Sequence, residues 1–228
     1  MRRWRVLLLA AGLGLLVAAA ALAVTWRLPS LPAGGDGNLD TLADYGRVPD
    51  FALVERSGRT VTLADLRGAV WLANFIYTQC TETCPLQSAE VARLQREFAG
   101  ARDLRLVSIT VDPEHDTAAT LAAYAARYGA DRDRWLFLTG SKAAIYTLAR
   151  DGFRLGVIDA GATQARKFRP LWGPSLAFAS HGSRGLVMHS SRFVLVDRNA
   201  RIRAYHRTDD SGSLKRLRDN LRALLAES

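Results

Sequence analysis

The sequence predicts an α/β domain, a central mixed sheet flanked by helices, behind an N-terminal transmembrane helix. Three observations carry that prediction. Val6–Val24 is a run of 19 residues without a charge, enough to cross a hydrocarbon layer about 30 Å thick. Between residues 69 and 152, apolar runs alternate three times with stretches of helical periodicity, the pattern of parallel strands joined by right-handed crossovers. Beyond residue 190, two short apolar runs flank a turn, and a last amphipathic stretch follows.

The first element is the apolar run. Arg2, Arg3 and Arg5 precede it, which predicts a cytoplasmic N-terminus and a domain on the far side of the membrane. A cleavable signal peptide, with Ala21-Leu22-Ala23 as its cleavage site, is the rival reading. The run exceeds the usual apolar core of such peptides, about 7 to 15 residues, so a retained anchor is favoured. No cysteine follows it, which argues against a lipoprotein. The expected organisation is residues 1–5 cytoplasmic, 6–26 anchor, 27–47 linker and 48–228 folded domain. In a bacterium this sets the protein in the inner membrane with its domain in the periplasm.

Composition narrows the function classes. The formal net charge is +9, but four of the arginines lie in or beside the apolar run, and the rest of the basic residues are interleaved with acids. No basic stripe exists for nucleic acid. Residues 28–44, with Pro29, Pro32 and Gly34-Gly35-Asp36-Gly37, have no apolar periodicity and read as a tether.

From Pro49 the pattern FALVERSGRTVTL gives two alternating runs around Ser57-Gly58, a β-hairpin. AVWLANFIY at 69–77 is almost continuously apolar, as a central strand covered on both faces should be. Pro85 suits the first turn of a helix, because its missing N–H is unpaired there anyway; Cys84 is then expected near the N-cap, with Val91, Leu94 and Phe98 on the buried face. LRLVSITV at 104–111 is the next strand, closed by Asp112-Pro113. Thr117 caps a helix with Leu121, Tyr124, Ala125 and Tyr128 on one face. Trp135–Thr139 is a strand, and Ser141 caps a helix carrying Ile145, Leu148 and Ala149. Residues 152–185 are long and irregular for a connection in a compact domain. Arg192–Asp197 and Ile202–His206 flank the turn Arg198-Asn199-Ala200, and Leu214, Leu217, Leu221, Leu224 and Leu225 build the last helix. A βαβ unit followed by an antiparallel hairpin and a helix resembles the thioredoxin fold, over about residues 48–228.

Cys80 and Cys84 are the only cysteines, between the first core strand and its helix. A helix N-terminus favours thiolate over thiol, which serves metal binding, disulfide formation and sulfur exchange alike. A staple across four residues constrains little of the unfolded chain. In the predicted topology the strand beginning near His189 runs antiparallel to the strand ending at Tyr77, so its start lies beside the cysteine loop. Two sulfurs and one nitrogen suit Cu(I) and can serve Cu(II); zinc usually takes a fourth ligand, and none is evident. His115, His181 and His206 lie elsewhere and are not expected as ligands. Met188 points to the opposite face of the strand from His189 and reads as packing.

These residues resemble the Sco/SenC family of membrane-anchored copper chaperones. The matches are FIYTQCTETCP, a C-x-x-x-C-P motif; VSITVDPEHDT, an Asp-Pro and Asp-Thr loop; and MHSSRFVLVD, the strand with the distal histidine. Thr81 departs from the pattern, since members often carry proline there. The resemblance implies that Cys80, Cys84 and His189 bind copper, and that the protein helps to mature the dinuclear copper centre of cytochrome c oxidase subunit II. Asp112 and Asp116 match the family loop and are expected to support the site or the turn rather than to ligate.

Two enzyme readings stand beside this one. A periplasmic thiol-disulfide oxidoreductase would use Cys80 and Cys84 as a redox pair that keeps target cysteines reduced. Ordinary thioredoxin-like reductants have C-x-x-C and a proline opposite, whereas this chain has C-x-x-x-C and its last proline is Pro174. A peroxidase would need Thr78 to activate Cys80, but the spacing is one residue short. A non-catalytic redox sensor is a third alternative. Partners other than the oxidase subunit are periplasmic copper or thiol-redox proteins.

Overall fold

The computed structural model describes residues 39–155 and 191–227. The apolar run at 6–24 lies outside them; among the described residues no helix is long and apolar enough to cross a membrane.

The strands are β1 (Ala52–Glu55), β2 (Thr60–Thr62), β3 (Val70–Ile76), β4 (Leu104–Thr110), β5 (Trp135–Thr139), β6 (Arg192–Val196) and β7 (Ile202–Arg207). The helices are α1 (Thr83–Glu97), α2 (Ala118–Arg127), α3 (Lys142–Thr147), which runs into a π turn at Leu148–Gly152, and α4 (Ser211–Ala226). They form one sheet of order β2-β1-β5-β4-β3-β6-β7. β3, β4 and β5 are parallel, and β6 runs antiparallel to β3, as expected. The hairpin of β1 and β2 turns at Gly58, whose φ of +88° suits a residue without Cβ, and extends the sheet through β5.

All seven residues of β3 are buried, and its alternation divides the core. Trp71, Ala73 and Phe75 join Val107, Ile109, Phe153 and Val194 on one face. Val70, Leu72 and Ile76 join Leu94, Leu106, Leu121, Phe137, Leu195 and Leu221 on the other, and both cysteines belong to that second cluster. A strand with two buried faces cannot alternate apolar with polar, which is why its sequence is a continuous run. The predicted caps form: Thr117 Oγ1 accepts from the Thr120 N–H at 3.2 Å, and Ser141 Oγ from Ala144 N–H at 3.2 Å.

Of the expected linker, residues 39–47 are described, and they run along the outer edge of β7. The Ala43 and Tyr45 N–H groups donate to Arg203 O and Ile202 O, both at 2.9 Å, and Tyr205 N–H donates to Leu39 O at 2.7 Å. This covers an otherwise open strand edge.

His206 shows how β7 is pinned. Its ring is fully buried, with Nδ1 3.1 Å from Ser213 O and Nε2 3.2 Å from Asn220 Nδ2, which also donates to Asp40 O at 2.8 Å. That pattern requires Nδ1–H and an unprotonated Nε2. Burial, partly opposed by the Asp40 charge, lowers the imidazole from 6.5 to about 4. The folded protein therefore binds fewer protons than the unfolded chain in this range. Stability is complete above pH 6.5 and falls as pH drops through about 4, by up to about 3 kcal/mol from this residue. Urea midpoints measured between pH 7 and 4 should fall steeply, and His206→Gln should flatten that fall.

Candidate functional site

The parallel strands end together. Val111 N–H donates to Ile76 O at 2.8 Å, so the β3–α1 loop carrying the cysteines lies beside the β4–α2 loop. Carboxyl ends of parallel strands are where ligands bind in open α/β sheets.

The cysteine loop turns after Tyr77, with Cys80 N–H donating to Tyr77 O at 3.2 Å. α1 starts with Glu82 at its N-cap, and the Glu82 side chain makes no capping bond. Cys84 is the second helical residue and Pro85 the third, slightly deeper than the sequence suggests. One first-turn N–H is served by sulfur, since Cys84 N–H donates to Cys80 Sγ at 3.4 Å, and the Thr83 hydroxyl lies 3.8 Å from the same atom.

Both cysteines are free and buried, yet their thiols differ. For Cys80, burial opposes ionisation. Backbone donors from Cys84 and Glu82, with the Cys84 thiol and the Tyr77 hydroxyl, outweigh it and bring the thiol down to about 7. For Cys84, burial dominates and the neighbouring Cys80 adds to it, pushing the thiol up to about 12. One sulfur is poised as thiolate near neutrality, and the other keeps its proton until a cation replaces it. Two sulfurs at a helix start, one already anionic, fit a soft metal ion whose binding releases protons.

Asp116 is wholly buried and reaches across to the cysteine loop. Its carboxylate accepts from Thr78 N–H at 3.0 Å and from the hydroxyls of Thr78 and Thr110, both at 2.5 Å. The local turn is made by its backbone instead, through Asp116 N–H to Asp112 O at 2.9 Å. Asp112 stays in its own loop, with His115 Nδ1 2.9 Å from its carboxylate and its N–H donating to Thr110 Oγ1 at 3.0 Å. Two aspartates that read alike in sequence thus act differently. The Thr78 hydroxyl hydrogen goes to Asp116 rather than to Cys80, which removes the basis of the peroxidase reading.

Sequence reasoning missed Tyr77 as a donor to Cys80, and also a buried polar chain under the first turns of α1. Trp135 Nε1–H donates to Ser108 Oγ at 3.0 Å, Ser108 donates to Asn74 Oδ1 at 2.8 Å, and Asn74 Nδ2 donates to Gln87 Oε1 at 3.4 Å. The available signal was Asn74, a polar residue inside an apolar run.

His189, the expected third ligand, lies outside the described residues, as do His181, Met188 and Pro174. Among the described residues no group of three or more His, Cys, Asp or Glu side chains could hold a metal. His115 is paired with Asp112, and His206 is the buried strut of β7. What is described near residue 189 is the start of β6, aligned with β3 through Ala73↔Val194.

The SCO1/SenC family model matches residues 41–226. The SCO1 protein homolog of Bacillus subtilis is 38% identical over 109 residues, which is 47% of this chain and 56% of that protein. The chain therefore spans about half the length of that curated relative. The soluble domain of Sco1 from Bacillus subtilis, solved in solution, is 27% identical with a TM-score of 0.54, covering 83% of this chain and 97% of that one. The Bradyrhizobium japonicum ScoI structure with copper bound is 23% identical with a TM-score of 0.58, covering 78% and 99%; at that identity the likeness shows the fold.

Proposed function

The chain belongs to the SCO1/SenC family, and from that premise we propose that it is a copper metallochaperone whose ligands are Cys80, Cys84 and His189. The observation that carries this reading is the pair of free cysteines at the start of α1, with the Cys80 thiol lowered to about 7. Copper is soft as Cu(I) and matches two thiolates; an imidazole nitrogen completes a three-coordinate set and lets the site accept Cu(II). The pairing of β6 with β3 supports His189: Arg192, where β6 starts, lies toward the end of β3 that leads into the cysteine loop.

The cargo would go to the dinuclear copper centre of cytochrome c oxidase subunit II, with other periplasmic copper or thiol-redox proteins as further partners. The apolar run at 6–24 would hold the domain at the outer face of a bacterial inner membrane. Oxidation of Cys80 and Cys84 to a disulfide would remove both thiolates and stop binding.

The test is anaerobic Cu(I) titration of the reduced protein with metal analysis. One copper per chain is expected. His189→Ala should lose about tenfold to a hundredfold in affinity or more, since even residues that only orient a ligand cost that much, and should change the Cu(II) absorption. An unchanged affinity and spectrum would overturn the ligand set. In cells, deletion of the gene should lower oxidase activity, and added copper should restore it.

A further inference from the structure

The cysteine end of α1 is held to its neighbours differently from the rest of the helix. Later turns bury the apolar side chains Val91, Ala92 and Leu94. Of residues 83–90 the buried ones are Cys84, Gln87, Ser88 and Glu90, and Leu86, the large apolar side chain of that stretch, is 74% exposed. Apolar burial is non-directional, whereas a hydrogen bond weakens steeply as its angle closes. The placement of this helix start therefore rests on directed polar bonds. Glu90 reaches sideways to Arg218 of α4, at 2.5 Å.

The other two polar side chains point at the elements that frame the site. Gln87, three residues after Cys84 and so on the same side of the helix, accepts from Asn74 Nδ2 of β3 at 3.4 Å. That bond ties the strand entering the cysteine loop to the helix leaving it, and both cysteines lie between its ends. Asn74 is itself fixed by the bond its Oδ1 accepts from Ser108 Oγ at 2.8 Å. Ser88, four residues after Cys84, lies 2.9 Å from the Tyr124 hydroxyl of α2. Asn74, Gln87, Ser88, Ser108 and Tyr124 are all buried, so water does not compete for these bonds. An apolar residue in the place of Asn74, inside the run VWLANFI, would avoid the cost of burying an amide; the amide gives direction instead.

We propose that Asn74 and Tyr124 are positioning residues for the copper site: through Gln87 and Ser88 they set where α1 begins, and with it the relative placement of the Cys80 and Cys84 sulfurs. The inference rests on the ligand reading above. Donors already in place bind an ion more tightly than donors that must be gathered, and groups that orient a ligand are worth about tenfold to a hundredfold in metal affinity. Cys80 is coupled to the same helix start, because its sulfur accepts the Cys84 N–H at 3.4 Å.

The experiment is Cu(I) titration of the reduced full chain in uncharged detergent, at a temperature where every variant is folded, with Tm measured alongside. The control is Val61→Ala: Val61 is fully buried on the edge strand β2, with three strands between it and β3, so its truncation lowers Tm without touching the helix start. Asn74→Leu and Tyr124→Phe should each lower Cu(I) affinity by about tenfold or more and shift the Cu(II) absorption, and Val61→Ala should do neither. The double variant Ser88→Ala, Tyr124→Phe removes both partners of one bond and leaves no orphan, so its Tm should return toward wild type while its affinity stays low. Affinity that recovers with Tm in the double variant would overturn the proposal, as would unchanged affinity in either single variant of a chain that binds copper. If the wild type binds no copper, the ligand reading fails instead. Amide hydrogen exchange then decides: Asn74→Leu should speed it at Cys84 and Gln87 and Val61→Ala should not, and equal exchange in the two would sink the positioning role.

Discussion

Replacing Cys84 with serine is expected to lower Cu(I) affinity by more than about a hundredfold, because changes in groups that merely orient a ligand already cost tenfold to a hundredfold and Cys84 is proposed as a ligand itself. A serine hydroxyl is hard and stays protonated, so it does not replace thiolate on a soft ion. Cys80→Ser should be as severe and should also disturb the helix start, because Cys80 Sγ accepts the Cys84 N–H at 3.4 Å. The two variants therefore separate ligation from architecture. Both lose copper, while Cys80→Ser alone should change the local signals of α1, read by amide hydrogen exchange at Cys84. A competition titration against a colorimetric Cu(I) chelator measures the first effect. Stoichiometric copper in Cys84→Ser at unchanged affinity would show that the pair is not the metal site.

Asp116→Ala is expected to lower both stability and copper affinity. The carboxylate takes three hydrogen bonds from Thr78 and Thr110 in a site with no solvent exposure. The two hydroxyls can turn to other acceptors, whereas the Thr78 N–H cannot. Leaving such groups unpaired costs about 3 kcal/mol in total, which for a domain of this size lowers Tm by roughly 6–12 °C. Thr78 is two residues before Cys80, so a loosened loop should also cost copper affinity by tenfold to a hundredfold, about the effect of losing a group that orients a ligand. Asp116→Asn keeps one acceptor for the Thr78 N–H and should lie between wild type and alanine in both measurements. A lowered Tm with undiminished Cu(I) affinity would mean that Asp116 supports the fold alone.

Much of the architecture was legible because the local signals agreed with one another. The run at 69–77 announced a doubly covered strand, Thr117 and Ser141 announced their helices, and the leucines from 214 to 225 gave the face of α4. The dithiol was legible as chemistry from its spacing and from Pro85. The role of Asp116 was not, since an aspartate after Asp-Pro and beside a helix cap has a sufficient local explanation. Nothing in the order of residues says that its carboxylate crosses to Thr78, 38 positions earlier. His206 was hidden for the same reason: a histidine near a strand end reads as exposed until α4 and the segment at residue 40 close over it.

What the sequence by itself determined is the described elements, their order and the pair of thiols at a helix start, because caps, turn residues and apolar periodicity act within a few residues of the chain. What only the tertiary structure decided is how each thiol behaves. Cys80 and Cys84 are the same residue type four positions apart, yet one thiol is lowered to about 7 and the other raised to about 12. The difference comes from which backbone and hydroxyl donors converge on each sulfur and how deeply each is buried. Both are properties of packed neighbours, which short-range sequence patterns do not encode.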